Sequence, residues 1–334
     1  MKKTFSKTEI IRNYAKKFTK TPSRSLTSKI FKENKEHFKD LEEIRSTLRR
    51  IRGVKGKEKN KKDVALHIKP FTFANPFKLP KSYAEKPKVF TFPKECNNIL
   101  VLSDLHVPFH DITALTIAIK YGIEKQINTI FINGDLLDFY QISRFVNVER
   151  KRSVPQELKA AKEVLQVLVD NFPMTPIYML CGNHDSRLEK YLAVKAPELL
   201  DMEEFKLEVL LEAHKYNLRI FDEVTLIKLG KLNASHGHLV LRGIFAPVNA
   251  ARGCFLKAKA STIISHVHKV STHSETTITG KNITCYSTGC LCELSPRYAP
   301  FGNNYSHGFA HVIIRPGGMF GVKNLQIING EIVS

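Results

Sequence analysis

Five short blocks of acid, amide and imidazole residues punctuate the second two-thirds of this chain, and most of them fall where an apolar stretch ends. They are Asp104-Leu105-His106, Gly134-Asp135-Leu136-Leu137-Asp138, Gly182-Asn183-His184-Asp185, Ser235-His236-Gly237-His238 and His266-Val267-His268. Ile99–Leu102, Thr129–Ile132 and Ile177–Leu180 are short apolar runs of strand length, each followed at once by a block. Between them, Asp111 can cap a helix reaching about Lys125, and a second helix spans about Pro155 to Val169. Strand and helix in alternation imply parallel strands with crossover helices, which bring the strand ends and their blocks to one edge of a sheet. A helical insertion is expected at about 186–219, with later strands ending at His236 and at His266-Val267-His268. On an extended segment the two rings of His-x-His would point the same way.

The donors in these blocks are carboxylates, imidazoles and one amide oxygen, a set suited to a pair of Mn, Fe, Zn or Ni ions and not to a thiolate site. Two cations about 3.5 to 4 Å apart can activate a water and clamp the phosphate of an ester under in-line attack. Two-metal hydrolysis follows as the expected chemistry.

Length and composition agree. The 334 residues, 43% of them apolar, suffice for one large domain and a small module. No stretch approaches the roughly 18 uninterrupted apolar residues of a membrane span, and the Lys-rich start leads into polar sequence. A cytosolic protein without membrane contact is the expectation. Cys96, Cys181, Cys254, Cys285, Cys290 and Cys292 include no Cys-x-x-Cys pair and read as buried free thiols.

Charge divides the chain. Residues 1–62 hold 21 Lys and Arg against 7 Asp and Glu, leaving 31 against 25 for the other 272 residues. Apolar residues recur at helical spacing at Ile10, Ile11, Tyr14 and Phe18, at Leu26, Ile30 and Phe31, and at Leu41, Ile44, Leu48 and Ile51. Three helices are expected within residues 1–53, the third opened by an Asp40/Glu43 capping box and ended at Gly53. It carries Arg45, Arg49 and Arg52 on one face, with Arg50 beside them, an arrangement that can track phosphates or enter a major groove. A solvated face on a protein-docking module is the plainer alternative. Residues 54–95 read as a Lys-rich linker and a Pro/Phe-rich extended arm lying on the catalytic domain, which is expected over 96–334.

The five blocks in this order resemble the calcineurin-like metallophosphoesterase superfamily over roughly residues 97–314. The resemblance implies an α/β fold, a four-layer α/β/β/α sandwich, here preceded by the small all-α module. It implies that Asp135 bridges two divalent ions, most readily Mn2+. Asp104, His106 and His268 would complete the first position, and Asn183, His236 and His266 the second. His184 matches the family histidine that assists the transition state or protonates the leaving oxygen, with Asp138 and Asp185 orienting these groups. One departure is Ser265, where the family commonly has Gly before the first His of the last block; an altered loop geometry is expected there. The segments Gly134–Arg144, Gly182–Tyr191 and Gly289–Glu293 through His307–Phe309 look like metallophosphoesterases of phage and bacterial genomes.

Arg144 and Arg187, each shortly after a block, are candidate phosphate-binding cations. His110, His214, His238, His273, His307 and His311 are taken as structural. Two activities are compatible with these features: a nuclease or phosphodiesterase acting on DNA or RNA, or a phosphomonoesterase with a protein-docking module. A degenerate, non-catalytic binding protein fits less well, since every expected ligand position is intact.

Overall fold

The computed structural model describes residues 6–19, 21–53, 77–143, 153–243, 248–296 and 301–333. They fall into two units, one within Met1–Tyr83 and one within Ala84–Ser334.

The smaller unit consists of α1 (Lys7–Lys17), α2 (Ser23–Glu33) and α3 (Leu41–Ile51). Ser6 and Glu9 close a full capping box at the start of α1. At α3 only half of the expected box forms. Asp40 accepts from the Glu43 amide at 2.8 Å, but the Glu43 carboxylate turns to the Lys39 amide and the Lys7 ammonium. Gly53, at φ +69°, ends the helix in the left-handed region that glycine enters most cheaply. Ile10, Ile11, Leu26, Ile30, Phe38, Ile44 and Leu48 form the core, while Leu41, at the start of the third apolar stripe, is 46% exposed.

The basic face of α3 needs one correction. Arg52 is turned inward: Nη1 donates to Thr21 O at 2.7 Å and to Ser23 Oγ at 3.0 Å, and Nη2 to Phe18 O at 2.8 Å. It ties the end of α3 to the α1–α2 junction and is spent as a phosphate contact. Arg45 pairs with Glu42 at 3.4 Å, and among the described residues Arg49 and Arg50 have no ion pair.

The larger unit stacks two sheets between helices. One sheet runs β13 (Glu331–Val333), β12 (Phe320–Ile328), β11 (His307–Ile314), β2 (Asn98–Leu102), β3 (Thr129–Asn133), β4 (Ile177–Leu180) and β5 (Leu218–Phe221). Strands β2 to β5 are parallel, and β11 joins β2 antiparallel. The crossovers are α4 (Ile112–Glu124), capped by Asp111 as expected, and α5 (Val154–Asn171). The insertion before β5 holds α6 (Arg187–Lys195), the single turn α7 (Leu207–Leu210) and short 3-10 turns. The second sheet runs β1 (Val89–Thr91), β6 (Leu226–Leu229), β7 (Leu232–Ala234), β8 (Thr262–Ile264), β10 (Asn282–Ser287) and β9 (Ser271–Thr276). Thus the end of the extended arm supplies an edge strand, and the larger unit takes in residues from Ala84.

Alternation along the strands builds the layers. Leu100, Leu102, Ile130 and Ile132 face α4 and α5, whereas Ile99, Val101 and Phe131 meet Ile227, Leu229, Leu232 and Ile263 of the second sheet. On that sheet's far side Ile264 and Cys285 pack against Ala251 and Cys254 of α8 (Ala250–Ala258). This is the α/β/β/α sandwich. All six cysteines are buried and free, and among the described residues no helix is long and apolar enough to cross a membrane.

One core position is chemically out of place. Glu157 of α5 is 1% exposed, and among the described residues neither carboxylate oxygen has a hydrogen-bond partner. Burial, reinforced by the Asp138 charge, pushes its pKa up to about 7, against the pull of the Phe139 and Tyr140 amides and Arg187. The native state therefore holds a proton that the unfolded chain, at its ordinary value of 4.5, gives up earlier. Stability from this group is whole below pH 4.5 and is lost as pH rises toward 7. Glu157→Gln, neutral throughout, should gain on the native protein by up to about 3 kcal/mol between pH 4.5 and 8, one pKa unit being about 1.4 kcal/mol. Denaturant unfolding at both pH values measures this, and an equal difference at the two would show the carboxylate to be paired and charged.

Candidate metal centre

Strands β2, β3 and β4 of one sheet and β7 and β8 of the other all run out toward the same place. The residues just past their ends leave the extended conformation sharply: Asp104, His106, Asp135, His266 and His268 have φ of 51°, 47°, 53°, 73° and 55°. Left-handed backbone at a non-glycine residue costs of order 1 kcal/mol or more and persists where the surroundings overdetermine it. His266-Val267-His268 is consequently a turn and not the extended segment expected. Its rings go to different neighbours, His266 to His236 at 5.3 Å between centroids and His268 to His106 at 5.0 Å. Two glycines are required by space. A Cβ on Gly134 would strike the His236 ring, and one on Gly182 the Asp135 carboxylate.

Six of the seven expected donors converge: Asp104, His106, Asp135, His236, His266 and His268. His236 Nε2 lies 3.1 Å from Asp135 Oδ2 and 3.9 Å from Asp104 Oδ1. His106 Nε2 lies 3.7 Å from Asp135 Oδ2 and 3.2 Å from His268 Nε2, which is 3.3 Å from Asp104 Oδ1. Asp135, His236 and His266 form one group of donors within 4.8 Å of one another, and His106, Asp135 and His184 another. Asp135 is common to both. Among the described residues Asp104 Oδ1, Asn183 Oδ1 and His236 Nε2 are buried with no hydrogen-bond partner, although native proteins leave few such atoms. These orphaned donors and the borderline-to-hard donor set fit a pair of divalent ions.

The electrostatics say the same. Burial opposes charge on His236, yet Asp135 and Asp104 raise its pKa to about 9. His268 is likewise raised by Asp104 despite burial, while burial and the neighbouring His236 lower His266 to about 4. Burial opposes charge on Asp104 and Asp135 too, but the histidines hold both below the usual carboxylate range. The centre holds concentrated negative charge that demands positive partners.

Around the donors lies a supporting layer. The Asp138 carboxylate accepts from His106 Nδ1 at 3.1 Å and lies 2.8 Å from His184 Nδ1, which is also 3.0 Å from the Asp138 carbonyl, so one residue fixes both rings. Asp185 takes the amides of Asp135, Leu137 and Gly182 at 2.7, 3.0 and 2.8 Å, so it shapes the loop. Burial and the Asp135 charge raise its pKa to about 6. The His184 amide donates to Asp135 Oδ1 at 2.8 Å. Arg187 Nη2 is 3.1 Å from His184 Nε2, and its Nη1 donates to the Asp138 carbonyl at 2.8 Å. Arg187 is therefore at the site but held against His184. Arg144 lies outside the described residues.

Ser265, the departure from the resembling family, is fully buried and braces His236: its Oγ lies 2.7 Å from Asn133 O and 3.0 Å from His236 Nδ1. His238 is bonded to Glu223 at 3.2 Å, His307 to Cys292 O at 2.9 Å, and His311 to Asn98 and Tyr121. Three neighbours escaped the sequence reading. Tyr305 packs on His268 at 4.5 Å, Glu157 lies beneath the Asp138 turn, and Cys292 reaches His268. Only the Gly289–Glu293 segment hinted at the last, and nothing in it signalled that a thiol faces the donors.

The chain is similar to several known proteins. The gene 54 proteins of Mycobacterium phages L5 and D29 are 27% and 26% identical to the chain, in each case over 51% of this chain and 69% of the phage protein. Among solved structures, a Vps29 single mutant from Entamoeba histolytica aligns with 71% of this chain and 96% of its own, at 15% identity and a TM-score of 0.38. A family model, calcineurin-like phosphoesterase, matches residues 98–285, more than half of the chain. That stretch contains the seven expected donors, Asp104 to His268, and on this match the chain belongs to the calcineurin-like phosphoesterase family, whose members are metal-dependent hydrolases of phosphoesters.

Proposed function

We propose that the protein is a two-metal phosphodiesterase that cuts nucleic acid. The observation that carries the nucleic-acid reading is the local charge: residues 1–62 hold 21 of the 52 Lys and Arg, and α3 presents Arg45, Arg49 and Arg50 on one side of a packed three-helix core. Phosphate contacts supply most of the affinity of such modules, whatever the base sequence.

In the larger unit, Asp104, His106 and His268 would hold one cation, Asn183, His236 and His266 the other, and Asp135 both. Two divalent ions there, Mn2+ among the candidates, supply water activation and neutralisation of phosphate charge. The protein's own groups do the rest. Asp138 accepts at His184 Nδ1, which keeps that nitrogen protonated; burial opposes a second proton on the ring, but the Asp135 and Asp138 charges raise its pKa, so Nε2, once released by Arg187, takes up that proton and hands it to the leaving oxygen. Arg187, able only to donate, shares that spot and is placed to move from His184 onto a phosphate oxygen.

Two measurements follow. With Mn2+, His184→Ala should keep its metal content and lose roughly 10² to 10⁴ in rate on a DNA or RNA diester, the usual worth of a general acid, but far less on a bis-aryl diester whose leaving group needs no proton. Equal losses on both would remove His184 from that role. Rates on single- and double-stranded DNA, RNA and an aryl phosphomonoester identify the substrate class in the same assay.

The second concerns binding. Replacing Arg45, Arg49 and Arg50 together with Ala should lower the slope of log affinity for duplex DNA against log salt by up to about three, near 0.9 per lost phosphate contact. Arg52 is left intact because its loss would loosen the module. If the slope is unchanged and DNA affinity is negligible, the phosphomonoesterase with a protein-docking module takes first place.

A further inference from the structure

The first cation position contains a donor that the family's ligand set does not. Residues 290–292 run through the site, with Cys290 bridged to His307 and Cys292 to His110. This places Cys292, 4% exposed, behind His268, with Sγ 3.8 Å from His268 Nδ1. Ligand atoms of His106, His268 and Cys292 lie within 4.8 Å of one another. Donors bound to one ion at about 2.0 to 2.3 Å are themselves separated by less than that span. A second observation concerns the other nitrogen of the same ring: Asp104 Oδ1, fully buried and without a hydrogen bond among the described residues, stands 3.3 Å from His268 Nε2. The second position differs, for Asp135, Asn183, His236 and His266 offer it only oxygen and nitrogen.

We propose that Cys292 is a thiolate ligand of the position formed by Asp104, His106, Asp135 and His268, which therefore takes a thiophilic divalent ion such as Zn2+, Fe2+ or Co2+ in preference to Mn2+. The assignment rests on the two-metal reading above. Binding exchanges the thiol proton for the ion, so one proton is released per ion bound at this position. A soft sulfur donor adds affinity for Zn2+ or Co2+ and little for Mn2+, whose preference is for oxygen. The two positions then differ in kind, and a mixed pair of ions occupies the centre.

The test uses the full chain, stripped with a chelator and titrated with Co2+ while near-ultraviolet sulfur-to-cobalt charge-transfer absorption and the visible cobalt bands are followed. The charge-transfer band should grow with the first equivalent in the native protein and in Cys290→Ser, and vanish in Cys292→Ser while cobalt still binds. Competition titrations should show Zn2+ affinity falling at least about tenfold in Cys292→Ser, with Mn2+ affinity nearly unchanged. Cobalt bound by the native protein without the band would overturn the proposal with no variant needed, and would leave Cys292 as a neighbour that merely orients His268. A band that survives Cys292→Ser would also overturn it. Failure to bind cobalt at all would remove the two-metal reading itself.

Discussion

Asp135 is 1% exposed and carries its charge among other buried ionisable groups, a placement that would be ruinous without compensation. Oδ1 takes the His184 amide and Oδ2 faces His236 and His106, so each oxygen of the carboxylate has a partner. Holding that one group dictates much of its surroundings. Gly134 and Gly182 are bare because a Cβ would occupy the space of His236 and of Asp135 itself. Asp185 is buried because three amides of the loop need one acceptor. The sandwich supplies the rigidity these contacts require, since two sheets packed face to face set the ends of β2, β3, β4, β7 and β8 at fixed separations.

Local backbone cost and global packing are linked through the same residues. Five donor residues in left-handed conformations together represent several kcal/mol of local strain at about 1 kcal/mol or more each. Regular strands behind them offset it: Ile99–Leu102 and Ile130–Ile132 are wholly buried and contribute apolar area on both faces. Strain at the ends of stiff strands is also what keeps the donors from relaxing into ordinary turns that would scatter them.

Much of this was legible in the sequence because periodicity and block order report on it directly. The strands at Ile99–Leu102, Thr129–Ile132 and Ile177–Leu180 and the caps at Asp111 and Asp40 formed within a residue of expectation. What periodicity cannot convey is which way a side chain turns at the end of an element. Arg52 sits on the same helical face as Arg45 and Arg49, yet three acceptors from the α1–α2 junction claim it. His266-Val267-His268 has the spacing of an extended pair but bends, because its two rings must reach different partners. Glu157 satisfies the helix pattern of α5 and gives no sign that it will be buried beneath Asp138.

The same limit explains why the two halves of the centre look alike in sequence and differ in chemistry. Blocks rich in Asp, Asn and His announce hard and borderline donors, but Cys292 comes from a distant segment and enters only through its bridge to His110. Ser265 is a parallel case: a residue that departs from the resembling family's glycine is fully buried against His236, so its hydroxyl adds a brace where the family has only space. A centre supported on one side by a hydroxyl and on the other by a thiol is asymmetric before any ion arrives. That asymmetry would distinguish the proposed position that includes His106, itself bonded to Asp138, from the proposed position that includes His236 and His266, whose donors are oxygen and nitrogen alone.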